Sequence, residues 1–175
     1  MEIPNKEFVV LITGAAGNLS YQLLPMLCSG EVFGSDVKII LNLLDLEQCL
    51  GILKAIKCEL EDCGFSLLKE IRIGTSAAEL FKDADIAIFL GGFPRKPGME
   101  RVDLLQINGA IFKYHGQILN THGKSTCKCL VVANPVNTNC LILQENCPNI
   151  PKENFTALTN LGVKRAKNQV LLLYL

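Results

Sequence analysis

The sequence predicts a doubly wound α/β domain, a parallel sheet of order 3-2-1-4-5-6 with helices on both faces. Short β-rich apolar runs alternate with segments of helical period along nearly the whole chain. The runs are close to continuously apolar, as expected of strands buried on both faces rather than one. Six runs of this kind suit the doubly wound order, because only crossover helices can bridge parallel strands.

The first strand is read in FVVLITG (8–14), followed by the helix-like LSYQLLPMLCSG. The second is VKIILNLLD (37–45), followed by EQCLGILKAIKCELEDC; the third is IRIGT (71–75), followed by AAELFKD. The fourth, ADIAIFLGG (84–92), runs into a loop containing Pro94, Pro97 and Gly98, then into VDLLQINGAIFKYHGQILNTHG. CKCLVVANP (127–135) supplies the fifth strand and NFTALTNLG (154–162) the sixth, with a helix between them. After Val163 the chain looks like the start of another helix, whose last residues, Val170 to Leu175, are apolar without a polar face. Such a segment is expected to expose apolar area and to seek a partner.

Composition narrows the function. Lysine plus arginine equals aspartate plus glutamate at 17 each, so no basic field points to nucleic acid or an anionic membrane surface. Any bound anion must be held locally. No apolar run approaches the roughly 20 residues of a spanning helix, and no secretory signal is recognisable, so a soluble, cytoplasmic protein is expected. The eight cysteines (28, 49, 58, 63, 127, 129, 140 and 147) contain no C-x-x-C and read as reduced thiols. Alternation puts Cys127 and Cys129 on one strand face. With His115 and His122 they offer zinc-ligand chemistry, but ordinary buried thiols are the expected outcome and no metal is expected.

The motif that carries chemistry is ITGAAGNLS (12–20). A strand stopping at Gly14 and a helix beginning near Gly17 bring backbone N–H groups and the positive end of a helix dipole to one point, which suits a phosphate. Gly14 permits the turn, Gly17 lets the backbone approach a pyrophosphate, and Ser20 is small enough for close helix–strand packing. G-x-x-G turns also occur in many other proteins. Asp45, ending LNLLD, strengthens the reading: a carboxylate there accepts hydrogen bonds from ribose hydroxyls and repels a 2′-phosphate, favouring NAD over NADP. Otherwise it is a solvated turn residue. In GGFPRKPGMERVDLL (91–105), Arg95 and Arg101 sit where a mobile lid folds over the sheet's carboxyl edge, and arginine suits bidentate gripping of a carboxylate. The bland alternative is two solvated loop cations. ANPVNTN places Asn134 and Asn137 at the same edge.

TGAAGNLSYQLL, SGEVFG, GGFPRKPGMERVDLL, ANPVNTNCL and IPKENFTALTNL together resemble the cytosolic type of malate dehydrogenase, in the lactate/malate dehydrogenase superfamily. The resemblance covers nearly all of the 175 residues but only about the first half of such an enzyme. It implies a Rossmann NAD-binding domain over 1–153, the start of a truncated substrate domain over 154–175, and a second catalytic domain largely missing. It implies hydride transfer between malate or oxaloacetate and NAD, in malate metabolism and the tricarboxylic acid cycle. The implied NAD contacts are Gly14, Ala15, Ala16, Gly17, Asn18, Asp45, Gly91, Asn108 and Asn134. For the dicarboxylate it implies Arg95 on the distal carboxylate, Arg101 on the reacting C2 oxygen, Asn134 near the nicotinamide and Arg165 as a fork on the C1 carboxylate. A homodimer, or association with a full-length homologue, is the implied partner.

The chain also departs from the family. Gly162 stands where the resemblance implies an aspartate that orients a catalytic histidine, and that histidine is expected beyond Leu175. His115 and His122 fall in the helix after the lid and cannot inherit its role. Losing a general base costs roughly 10² to 10⁴ in rate, so a catalytically silent NAD-binding or interaction protein is the alternative. A short-chain dehydrogenase is disfavoured because its Tyr-x-x-x-Lys pair is absent: Tyr21 and Tyr114 are followed four positions on by Pro25 and Ile118, and Tyr174 by no residue of this chain.

Overall fold

In the computed structural model, which describes residues 6–173, six parallel strands form one sheet in the order β3-β2-β1-β4-β5-β6. The strands are β1 (Lys6–Thr13), β2 (Val37–Leu44), β3 (Leu68–Gly74), β4 (Ile86–Phe89), β5 (Lys128–Val131) and β6 (Phe155–Ala157). Helices α1 (Asn18–Ser29), α2 (Leu50–Asp62), α3 (Ala77–Phe81), α4 (Arg101–His122), α5 (Val136–Glu145) and α6 (Asn160–Leu173) connect or follow them. The predicted sheet order is the observed one.

Continuous apolar runs become strands here because both faces are covered. On one side of β1, Val10 and Ile12 pack with Leu24, Leu27, Leu53 and Ile56 of α1 and α2. On the other, Leu11 joins Phe89, Phe112, Leu119 and Leu143 of β4, α4 and α5. Burial of this kind contributes roughly 25 cal/mol per Å² of apolar surface and sets the register.

Four strands need correction, the first being β4, which covers only Ile86–Phe89 of the expected 84–92. β3 begins at Leu68, not Ile71, because it is an edge strand whose polar residues Lys69 and Glu70 hide the start of the run. Its charged residues are ion-paired, Lys69 Nζ to Glu7 of β1 at 2.6 Å and Arg72 to Glu70 at 2.8 Å. β5 ends at Val131, and residues 132–135 form the turn into α5. β6 is only three residues long, and α6 starts at Asn160, so the segment TNLG is not strand.

No residue of α6 is buried, and Val170, Leu171, Leu172 and Leu173 are all exposed. This matches the expected apolar surface as far as Leu173; Tyr174 and Leu175 lie outside the described residues. Cys127 and Cys129 are both buried, as strand alternation predicts. Their mutual contact and burial push the Cys129 thiol well up from its ordinary value, which keeps it protonated. Among the described residues no group of three or more His, Cys, Asp or Glu side chains is arranged to hold a metal.

Candidate functional site

The strand order reverses between β1 and β4, and their carboxyl ends open a crevice there. Two glycines line it. Gly14, at φ +68°, lies so close to Gly91 that a Cβ on it would sit 2.4 Å from the Gly91 Cα. The Gly91 amide donates to the Thr13 carbonyl at 2.9 Å, tying the two strand ends together. Gly91 thus acts first as a spacer that lets the two backbones touch.

The glycine-rich turn uses most of its own amides. Ala15 N–H donates to the Leu44 carbonyl at 3.2 Å and Gly17 N–H to the Gly14 carbonyl at 3.0 Å. Ala16 N–H donates to Asp45 Oδ2 at 2.9 Å, while Asp45 Oδ1 accepts from Leu46 N–H at 2.8 Å. Gly17 is the N-cap of α1, and Tyr21 N–H makes the first intrahelical bond, to the Gly17 carbonyl. The amides of Asn18, Leu19 and Ser20 are therefore the first three of a helix that no side chain caps and whose first turn carries no acid. These N–H groups, not those of Ala15, Ala16 or Gly17, are available to an anion. A Cβ on Gly17 would lie 3.2 Å from the Gly14 carbonyl, so the cradle is tight. The donor set fits a dinucleotide: uncapped amides for a phosphate, and a half-buried carboxylate with two remaining acceptor positions for ribose hydroxyls.

Between β4 and α4 the loop carries Arg95 exposed, its Nε and Nη2 donating to the Met99 carbonyl at 3.2 Å each. Arg101 is the first residue of α4 and is also exposed. Among the described residues neither guanidinium has a carboxylate within ion-pair distance, whereas Arg72 has two, Glu70 and Asp83. Lys96 lies over the Phe93 ring, 5.0 Å from its centre. The start of α4 is fixed by a capping box in which Glu100 N–H donates to Asp103 Oδ2 at 2.9 Å.

Asn108, on α4, is fully buried, and its side chain is wholly engaged with backbone. Its Oδ1 accepts from Phe93 N–H at 2.7 Å, and its Nδ2 donates to the carbonyls of Phe93 at 3.2 Å and Asn134 at 3.0 Å. It brackets the root of the β4–α4 loop to the turn after β5, which places it as a positioning residue. Asn134 itself is exposed in that turn, before a cis bond to Pro135. Asn137 lies in the first turn of α5. Asn139, two residues on, was not singled out from ANPVNTN, yet it is the buried one, holding the Ala133 carbonyl at 2.9 Å. Asn108→Ala should leave the Phe93 N–H, the Phe93 carbonyl and the Asn134 carbonyl without this partner and destabilise the fold by about 2 kcal/mol. Urea denaturation at constant m-value checks this.

Arg165 lies on the exposed α6, and Gly162 has open space around it. The structure does not pack either residue against the crevice. His122 ends α4, at the edge of the sheet opposite the crevice. His115 lies among Phe81, Phe89 and Phe112, with ring centres 5.7 to 6.2 Å away, its Nδ1 buried without a partner. Burial pulls its pKa down to about 4, keeping it neutral.

A family profile described as the lactate/malate dehydrogenase NAD binding domain matches residues 8–156. The chain belongs to the lactate/malate dehydrogenase family. It is 50% identical over 161 residues to the cytoplasmic malate dehydrogenase of Taenia solium, covering 92% of this chain and 48% of that protein. With the human cytoplasmic malate dehydrogenase the identity is 48% over 163 residues, covering 93% of this chain and 49% of that protein. Among solved structures, a malate dehydrogenase of Naegleria fowleri superposes with a TM-score of 0.90 at 41% identity, covering 94% of this chain and 50% of that one. A Trichomonas vaginalis lactate dehydrogenase in complex with NADH and oxamate superposes at 0.86, also 41% identical, covering 93% and 49%. The chain thus spans about half the length of the relatives it matches, the half that carries the family's NAD-binding Rossmann fold. These two solved structures, one a malate and one a lactate dehydrogenase, are equally identical to the chain, so the substrate must be argued from side chains. Among the described residues no helix is long and apolar enough to cross a membrane.

Proposed function

We propose that this chain is the nucleotide-binding half of an NAD-dependent malate dehydrogenase, acting on malate and oxaloacetate in the cytoplasm. The observation that carries the reading is the pair of arginines, Arg95 and Arg101, without acid partners among the described residues, on the segment bordering the β1/β4 crevice. An arginine at 95 matches a second carboxylate, and burying that charge unpaired would cost several kcal/mol. Bound NAD would accept hydride from C2 of the hydroxy acid.

The residues of the chain then divide the work. Asn18 and Leu19 N–H groups hold the pyrophosphate at the head of α1, and Asp45 takes the ribose hydroxyls. Gly14, Ala15, Ala16, Gly17 and Gly91 shape the floor, and Asn108 fixes the lid root. Arg95 pairs with the distal carboxylate and Arg101 polarises the C2 oxygen. Asn134 hydrogen-bonds the substrate near the nicotinamide, and Arg165 clamps the C1 carboxylate. A self-association, or pairing with a full-length relative, covers the exposed apolar surface of α6.

A second reading, an NAD-binding module that does not turn over, is favoured by Gly162 and by the histidines. Gly162 offers no side chain to orient a base. His115 packs against Phe81, Phe89 and Phe112, and His122 is at the wrong edge of the sheet, so neither of these two is placed to serve as the base. Following NADH absorbance with oxaloacetate separates the two. Turnover that drops on the order of 10²-fold in kcat/KM on Arg95→Leu supports the first reading. Calorimetric NADH binding without turnover supports the second, and absence of both overturns the nucleotide site itself.

A further inference from the structure

The Asp45 carboxylate has two faces of use. Its position at the end of β2 suits a ribose, as the proposed function requires. Yet in this structure one of its oxygens already accepts the Ala16 amide at 2.9 Å, a bond that joins residues 29 apart in sequence. Its other oxygen accepts Leu46 N–H at 2.8 Å, which fixes the carboxylate's own orientation. The neighbouring turn amides have backbone acceptors: the Leu44 carbonyl for Ala15 and the Gly14 carbonyl for Gly17. Ala16 alone relies on a side chain. Take that side chain away and the middle of the turn has no acceptor, while Gly17, the N-cap that aims α1, follows immediately.

We propose that Asp45 is a positioning residue for the phosphate cradle, holding Ala16 N–H so that the Asn18 and Leu19 amides converge on the pyrophosphate. The inference rests on the dinucleotide reading for the identity of the anion, but not for the bond itself. It goes against simple electrostatics, which gives it a sharp test. A carboxylate that served only the ribose would, by its negative charge, repel a nearby phosphate; removing it would leave phosphate affinity unchanged or raise it. A carboxylate that shapes the cradle does the reverse: its removal weakens a phosphate ligand that has no ribose at all.

The experiment uses the full chain with inorganic pyrophosphate, titrated while the Asn18 and Leu19 amides are followed by ¹⁵N NMR. Asp45→Ala should weaken pyrophosphate roughly tenfold, the size expected for losing a charge-assisted hydrogen bond. Asp45→Asn keeps one acceptor oxygen for Ala16 N–H without the charge but gives up the acceptor of Leu46 N–H, so it should bind pyrophosphate more tightly than Asp45→Ala, recovering most of the loss. Hydrogen exchange of the Ala16 amide in the ligand-free protein is the second readout, protected in wild type and Asp45→Asn and released in Asp45→Ala. Unchanged or tighter pyrophosphate binding in Asp45→Ala overturns the proposal, as does an Ala16 amide that exchanges at the solvent rate in wild type. If wild type binds neither NADH nor pyrophosphate, the dinucleotide reading fails, and Ala16 exchange still decides whether Asp45 holds the turn.

Discussion

Gly14→Ala should be among the most damaging single substitutions in this chain, destabilising it by about 3 kcal/mol or more. Two costs coincide at this position. The backbone is left-handed at φ +68°, which costs a residue with a side chain roughly 1–2 kcal/mol. The added Cβ would also sit 2.4 Å from Gly91 Cα and 2.6 Å from Gly91 N, backbone atoms held in place by the bond from Gly91 N–H to Thr13. Relief requires β1 and β4 to part where the strand order reverses, adding about 1–3 kcal/mol of overpacking strain. Gly64→Ala is the control: φ is +62° but nothing lies within 4 Å, so only the same backbone cost of roughly 1–2 kcal/mol remains. Urea midpoints of the two variants at equal m-values test the comparison, and equal losses would show that the Gly14–Gly91 contact carries no energy.

Acid should destabilise the protein through His115, by roughly 3 kcal/mol between pH 7 and pH 4. The imidazole is held neutral among Phe81, Phe89 and Phe112, and burial lowers its pKa from 6.5 to about 4. The unfolded chain therefore takes up this proton at a higher pH than the folded one. The contribution is fully present above pH 6.5 and is lost as pH falls through that value toward 4. Among the described residues Nδ1 has no acceptor to hold a proton. His115→Leu fills a similar volume without titrating. The stability of wild type relative to His115→Leu should fall between pH 7 and pH 4, and parallel pH profiles for the two proteins would refute the assignment.

How much of this was legible beforehand depends on the kind of bond involved. The sheet order could be read because continuous apolar runs such as VKIILNLLD have only one stable setting, between two layers of helix. The start of β3 could not, since Lys69 and Glu70 on an edge strand look like loop. The glycine turn and Asp45 were legible as residue types at a strand end, and so were the two lid arginines. What the turn does with its amides was not, because which N–H groups stay free depends on backbone geometry that residue type alone does not set. Asn108 shows the same limit. Its resemblance-derived role was contact with the cofactor, yet its amide is wholly engaged with the backbone of Phe93 and Asn134. Asn139 was overlooked for a related reason: three asparagines in ANPVNTN are alike until burial separates them.

The two margins of the sheet bear on how this chain behaves in a crowd. Each outer strand leaves a row of amides and carbonyls that a second polypeptide could join as an additional strand, the first step toward fibrous aggregates. β3 guards one margin with a strip of alternating charge: Lys69 is paired with Glu7, and Arg72 with Glu70 and Asp83. β6 guards the other by brevity, offering three residues where a template needs more. A sequence that is 49% hydrophobic is thereby steered away from growth at its strand margins.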